Sequence, residues 1–500
     1  MQNGTKYTWT ISVIAIYNEN ELPLTKAYKE FEDAIKAVQD ASENIRFVIF
    51  FYDSGSKKAV VKKSEIINGS FNLKEHKNLG EVDIYEEDHV ELKCFFAEHV
   101  AKKAHEENEE HKHMLITWGH GAGLGFMKEE IKEQLSKILE IDKSTEEKAS
   151  KETAAAIRLI NDLALNIKAP GYVDIMESLA DKILSYDKSL SLKEEKKKKI
   201  LQLFKLITPL DLADILKKGL EQDTSSVCTR LTLGLNVKTE AKIQIMLCLT
   251  CYVNMIETAF ALMDVINVYI APQTEIPFYG YNYKELFKLI NNKPAAHERE
   301  IAKNITHNYL SKFMDESIVN DVQGDSTLFE LDYKRGVSFS AVYIKEYGQI
   351  AIRVRDFKNF VQAENVKGPE MKEILSSARM SCFSTGREGK LDIGIIDCEN
   401  FIIEVLLRLE SKWDVSFLDF FSDAQIISDY SPGNLSRSRS MSPGRLISQS
   451  PGSYSIFFPD IPIQDIESQL MSLYREGGKN PGSFKFLSNW EFVIDLVHSA

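Results

Sequence analysis

The chain has 500 residues, 44% of them hydrophobic and 27% charged, a balance that suits two or three soluble domains or one large domain with insertions. Its formal charge of -13 argues against nucleic acid or an anionic membrane surface as the default partner. No run of about 18 apolar residues suggests a spanning helix, the start lacks a secretory signal pattern, and six cysteines without repeated spacing suit a reducing compartment, so a cytoplasmic protein is expected.

In chain order, WTISVIAIY (9–17) reads as a buried first strand, residues 24–41 as a helix, and RFVIFFYDSG (46–55) as a second strand ending in a turn. Residues 71–85 read as a connection that can carry edge strands. DHVELKCFFAEHVAKKAHEE (88–107) returns apolar residues every three or four positions, as a helix does. MLITW (114–118) follows as a strand. A β-α-β-α-β order places helices on the faces of a sheet, which makes the chain α/β.

Residues 127–208 are rich in Lys, Glu, Ala and Leu and break at Lys168-Ala-Pro-Gly171. We expect a helical insertion there, with a cleavable activation segment as the alternative because EEKKKKI (194–200) offers accessible basic sites. PLDLADILKKGLEQ (209–222) is an amphipathic helix, KIQIMLCLTC (242–251) a strong strand, NMIETAFALMDVI a helix and VYIA (268–271) a short strand. Helices around 283–314 and a hairpin-like pair, VSFSAVYI and QIAIRVRDF, complete an α/β unit by about residue 365. Beyond it, residues 366–500 form an α/β extension in which LDIGIID and FIIEVLLRL read as strand and helix. Three Ser-Pro-Gly units within the Ser/Arg-rich stretch 431–453 read as a flexible segment.

Two strand ends carry reactive groups. His120 follows LITW between Gly119 and Gly121, where the backbone can turn sharply and an imidazole can exchange protons near neutral pH. Cys251 ends IMLCLTC, where a strand-to-helix junction would offer backbone N–H groups to a thiolate and to an oxyanion. Parallel strands bring their C-terminal ends to one edge of a sheet, so His120 and Cys251 can meet although 131 positions separate them. A thiol with a histidine base needs no metal or other cofactor. Zinc would use the same residue types, but Cys248, Cys251 and His120 are at most three scattered ligands.

These blocks resemble the clostripain-like cysteine peptidases, which share the caspase/gingipain fold. WTISVIAIYNENEL is similar to that family's first strand, RFVIFFYD to its second, LITWGHGAG to its histidine block and IMLCLTCYVNMIETAFAL to its nucleophile block. APQTEIPFYGYNY resembles the loop that follows. The likeness spans about residues 9–350, interrupted by the helical stretch. It implies a caspase-like α/β/α sandwich, divided as 1–126 and 209–365 around the insertion 127–208. It also implies His120 as catalytic histidine, Cys251 as nucleophile and Glu257 in the place of a family glutamate. Gly121, with the N–H of Cys251, is the candidate oxyanion site, a purely conformational role for Gly121 being the alternative. Calcium occurs structurally in some relatives, without a coordinating set identifiable here.

The departures concern specificity. The family often has Asp two residues before the nucleophile, where it lines the pocket for a basic side chain on the acyl side of the cut bond (P1). Leu249 stands there, Gly119 replaces the usual Asn before the histidine, and Thr250 replaces the common Ala. Glu275 is a candidate for replacement charge. IIDCENFIIEV imitates the nucleophile block at Cys398, with Asp397 beside it, but SDAQIISDYSPG downstream matches the family less well than the loop after Cys251. Asp397 is expected as charged loop surface. The expected function is a cysteine endopeptidase acting on peptide or protein substrates. The alternative is a weakly active or inactive protein-binding module, with RNA binding through the Ser/Arg patch more remote.

Overall fold

The computed structural model describes residues 8–17, 19, 22–38, 44–67, 70–86, 88–101, 111–121, 126–127, 207–220, 243–273, 276, 281–314, 338–344, 356–363, 368–382, 395–409, 425–430, 455–458 and 493. Residues 128–206 of the insertion expected at 127–208, residues 349–355 of the expected second hairpin strand, Glu275 and the Ser/Arg-rich segment lie outside them, while residues 356 and 357, expected at the end of that strand, begin a helix.

Five parallel strands make the centre of one large sheet. They are β1 (Trp9–Tyr17), β2 (Ile45–Asp53), β5 (Lys112–Gly121), β7 (Ile243–Leu249) and β8 (Ile266–Ala271). Every residue of β1 and of β2 is buried, which is why both read as unbroken apolar runs rather than alternating ones. The spatial order is β11-β9-β8-β7-β5-β1-β2-β3-β4. Here β3 is Lys58–Ile67, β4 Ser70–Glu81, β9 Ser338–Tyr343 and β11 Gln425–Tyr430, all pairing antiparallel at the two edges. The short β6 (Phe126–Met127) pairs back onto the end of β5. Chain order reverses at β1, with β2 on one side and β5 on the other, and ligands of open α/β sheets collect at such a reversal.

Helix α1 (Leu22–Ala37) places Ala27, Tyr28, Phe31, Ala34 and Ile35 on one stripe, and these bury against β1 and β2. α5 (Tyr283–Asn292) and α6 (Glu298–Met314) share that face, with Phe287 and Tyr309 in the same core. The opposite face carries α2 (Val90–Phe96, continued by a π turn to Ala101), α3 (Pro209–Gly219) and α4 (Ile256–Leu262), which pack on one another. A capping box fixes the start of α3: Thr208 Oγ1 accepts from the Asp211 N–H, and the Asp211 carboxylate accepts from the Thr208 N–H. Lys93 of α2 is buried and reaches Asp214 of α3 at 2.8 Å. The result is a layered α/β/α structure around a central sheet.

The stretch after residue 366 supplies β11 to the main sheet and builds a second small sheet from β10 (Ile395–Asp397) and β12 (Ser455–Phe457). α7 (Gly368–Ser381) and α8 (Cys398–Arg408) pack beside it. Arg379, fully buried in α7, donates from Nε and Nη2 to the Phe458 carbonyl oxygen at 3.0 and 2.9 Å.

Cys94 in α2 is disulfide-bonded. Among the described residues, no helix is long and apolar enough to cross a membrane.

Candidate active site

The parallel register of β5 and β7 sets the site. Met114 pairs with Ile245, and the pairing runs on to Trp118 opposite Leu249. Beyond that pair, His120 is still in β5 and Cys251 stands two residues past the end of β7, so both lie at the C-terminal edge of neighbouring strands. Each is half-buried, whereas the strand residues behind them are sealed.

Two glycines allow this approach. Gly119 pairs with Ile16 of β1 and adopts φ +147°, and a Cβ there would run into the Ile16 carbonyl oxygen. Gly121 lies against the backbone of the Cys251 turn, where a Cβ would stand 2.6 Å from the Cys251 carbonyl oxygen and 3.2 Å from its nitrogen. At the end of β2, on the far side of β1 from β5, Asp53 accepts from the N–H groups of Glu19, Gly55 and Ser56 at 3.0, 3.2 and 3.1 Å. Burial raises the pKa of this carboxyl group, but those donors and the Ser56 hydroxyl outweigh it and hold it below its usual range.

Cys251 differs from the expected strand-to-helix junction. β7 ends at Leu249 and α4 starts only at Ile256, so a turn separates the thiol from the helix. Tyr252 adopts φ +61°, an unfavourable left-handed conformation for a non-glycine residue. The turn is held by its neighbours: the Asn254 N–H donates to the Pro272 carbonyl, and the Tyr269 hydroxyl to the Val253 carbonyl. The thiol receives the Ile276 backbone N–H at 3.4 Å and faces the Ile276 carbonyl oxygen at 3.8 Å. Ile276 therefore supplies the polar backbone contact that the sequence assigned to the helix start.

The other free cysteines of the described residues, Cys248, Cys382 and Cys398, are buried. Burial pushes the Cys248 thiol up to about 12, a rise that the neighbouring hydroxyls of Thr117 and Tyr269 offset only in part. Burial and the charges of Asp397, Glu257 and Glu399 push Cys398 up as well. A thiol held neutral and out of solvent is a poor nucleophile, so the imitation block at Cys398 is a core element. Asp397 is not charged loop surface: it is fully buried and caps α8, accepting from the Asn400 N–H at 2.9 Å.

Leu249 is 5% exposed and belongs to the core cluster that includes Trp118, Ile276 and Tyr281. Glu257 is buried in the first turn of α4. Sequence reading missed Asp53, Gln273 and the Ile276 backbone. The first had a signal in the Asp-Ser-Gly-Ser turn, whereas the others depend on contacts between distant segments. Among the described residues no three His, Cys, Asp or Glu side chains cluster to hold a metal.

No protein-family model and no curated protein matches the chain. Solved structures do. An inactive zymogen C11 protease from Parabacteroides distasonis aligns with a TM-score of 0.52 at 11% identity, over 97% of this chain and 98% of that one. A secreted C11 cysteine protease from Bacteroides thetaiotaomicron, in complex with an irreversible peptide inhibitor, aligns at 0.51 and 11% identity over 95% and 100% of the two chains. A further structure of a secreted C11 cysteine protease from that organism, iotapain, gives 0.51 and 12% over 96% and 99%. The chain thus has the caspase-like fold of the C11, or clostripain-like, cysteine proteases along nearly its whole length.

Proposed function

We propose that the chain is a cysteine endopeptidase in which His120 activates Cys251. The observation that supports this reading is the strand register, which brings the chain to His120 and towards Cys251 at the same edge of neighbouring strands, Cys251 being the partly exposed one among the described free cysteines. The shared fold supports it.

The chemistry follows from the groups at that edge. As Cys251 Sγ attacks the carbonyl carbon of a peptide bond, His120 takes the thiol proton. The N–H groups of Gly121 and Cys251 receive the negative oxygen of the tetrahedral intermediate. Collapse expels the amine, which takes the proton back from His120, and leaves a thioester. Water then attacks that thioester with His120 as base, releasing the acid and restoring the thiol. Leu249 offers no charge to a basic P1 side chain, so we expect no Arg or Lys preference to arise from its position.

A mixed peptide library incubated with wild type, C251A, H120A and C398A tests the assignment. Cleavage should disappear in C251A and H120A and persist in C398A. Cleavage unchanged in C251A would remove the assignment, and no cleavage by wild type would favour the protein-binding reading. Mass spectrometry of the purified chain reads any processing within 127–208.

A further inference from the structure

The stretch beyond residue 366 touches the Cys251 turn directly. Ser455, the first residue of β12, donates its N–H to the Asn254 carbonyl oxygen at 3.0 Å and bridges Met255 in parallel. In the small sheet Ser455 pairs with Asp397. Asp397 in turn reaches back to the core of the main domain, where its Oδ2 accepts from Gln273 Nε2 at 2.9 Å. Both side chains are 0% exposed and 124 positions apart in sequence.

These bonds close a ring. Gln273 lies three residues before Ile276, whose N–H meets Cys251 Sγ. Pro272, just before Gln273, accepts from the Asn254 N–H. Asn254, three residues after Cys251, is held by Ser455, and Ser455 by its pairing with Asp397. The two oxygens of Asp397 divide the work. Oδ1 caps α8 through the Asn400 N–H at 2.9 Å and its Nδ2 at 3.1 Å, while Oδ2 holds Gln273. A buried amide donating to a carboxylate is a directional contact that water cannot replace. The segment that presents Ile276 to the thiol is therefore pinned at Gln273 by a residue of the C-terminal stretch.

We propose that Asp397 is a positioning residue for Cys251, acting through Gln273 and the Ile276 backbone. The proposal rests on the reading of Cys251 as the nucleophile. It gives Asp397 a role without any chemistry at Cys398, and it makes the stretch after residue 366 part of the active-site framework.

An exchange of the two side chains tests it in the full chain. Gln273→Glu sets a second carboxyl group against Asp397 and removes the donor. Asp397→Asn on that background restores a donor facing an acceptor with the direction reversed, and the Asn oxygen can still cap α8. Two rates are read well below each variant's unfolding temperature: peptide turnover, split into kcat and KM, and alkylation of Cys251 by iodoacetamide, located by mass spectrometry. Q273E should slow both kcat and alkylation by roughly tenfold or more, and D397N/Q273E should recover most of that loss. Gln273→Met, which removes the donor without adding a buried charge, should slow alkylation in the same direction and serves where Q273E does not fold. Normal alkylation and kcat in a folded Q273E or Q273M variant would overturn the proposal, as would a folded double variant that recovers thermal stability alone. Alkylation needs no turnover, so it judges the positioning role even where the comparison of wild type with C251A removes the peptidase reading.

Discussion

Gly121 packs on Cys251 so closely that an added methyl group would lie 2.6 Å from the Cys251 carbonyl oxygen. The Thr250 methyl group stands nearer still to that added group, so the ends of β5 and β7 meet only because position 121 carries no side chain of its own. Gly121→Ala should push the ends of β5 and β7 apart. We expect peptidase activity to fall by roughly 100-fold, as displacement of reacting groups by about 1 Å does. Steady-state kinetics beside a thermal melt checks this, and unchanged kcat/KM would show that the contact is not limiting.

Leu249 invites the substitution Leu249→Asp, intended to create an acidic pocket. Its side chain is closed into the core with Trp118, so the new carboxylate would be buried without a partner. The expected result is a loss of about 3–5 kcal/mol of stability and no gain in cleavage after Arg or Lys. Urea unfolding measures the first and a panel of basic and apolar P1 substrates the second. A stable variant with new basic specificity would mean that position 249 opens to substrate.

Native-state alkylation should discriminate among the described free cysteines. Cys251 should react, while Cys248, Cys382 and Cys398 should react only when the chain is unfolded. Cys398→Ala is expected to cost about 1 kcal/mol through the small cavity it leaves and to spare activity. Peptide mapping of the alkylated protein with and without urea reads both claims. Modification of Cys398 before Cys251 would reverse the assignment.

Acid should destabilise the fold through two neutral histidines. Burial, then the positive neighbours Lys63, His76 and Lys77, pushes His99 down to about 3. Burial and the charges of His111 and Arg46 do the same for His113. Between pH 6.5 and about 3 the unfolded chain binds protons at these positions and the folded chain does not, so stability falls as pH falls, by about 1.4 kcal/mol per pH unit for each histidine. His89 works in the opposite sense. Burial lowers its pKa, but the Asp211 carboxylate and the Ile84 carbonyl raise it overall, so its contribution is fully present below pH 6.5 and is lost as pH rises through its raised value. Urea titrations at pH 7 and pH 5 should show a smaller difference for His113→Leu than for wild type, and an equal difference would exclude His113 as a source.

The central strands were legible because burial on both faces leaves nothing but apolar residues in β1, β2 and most of β7, and their order led directly to the sheet. His120 and Cys251 drew notice in the sequence for the same reason, since each sits where an apolar run stops. β3 was missed: in KAVVKKSEII, near one edge of the sheet, the apolar residues come in two blocks separated by four polar residues, so no period of two is legible. The late start of α4 was not readable because Tyr252 adopts a conformation that its residue type disfavours and that only its surroundings impose. The bond between Gln273 and Asp397 had no local signal. A glutamine and an aspartate read as surface residues until the fold buries them together.

The bridge between Ser455 and Met255 has a consequence for biosynthesis. A ribosome adding about 5–20 residues each second needs roughly 10–40 s to move from one of these positions to the other. Throughout that interval the nascent chain already carries both His120 and Cys251. The strand that braces the turn beside the thiol has yet to be made.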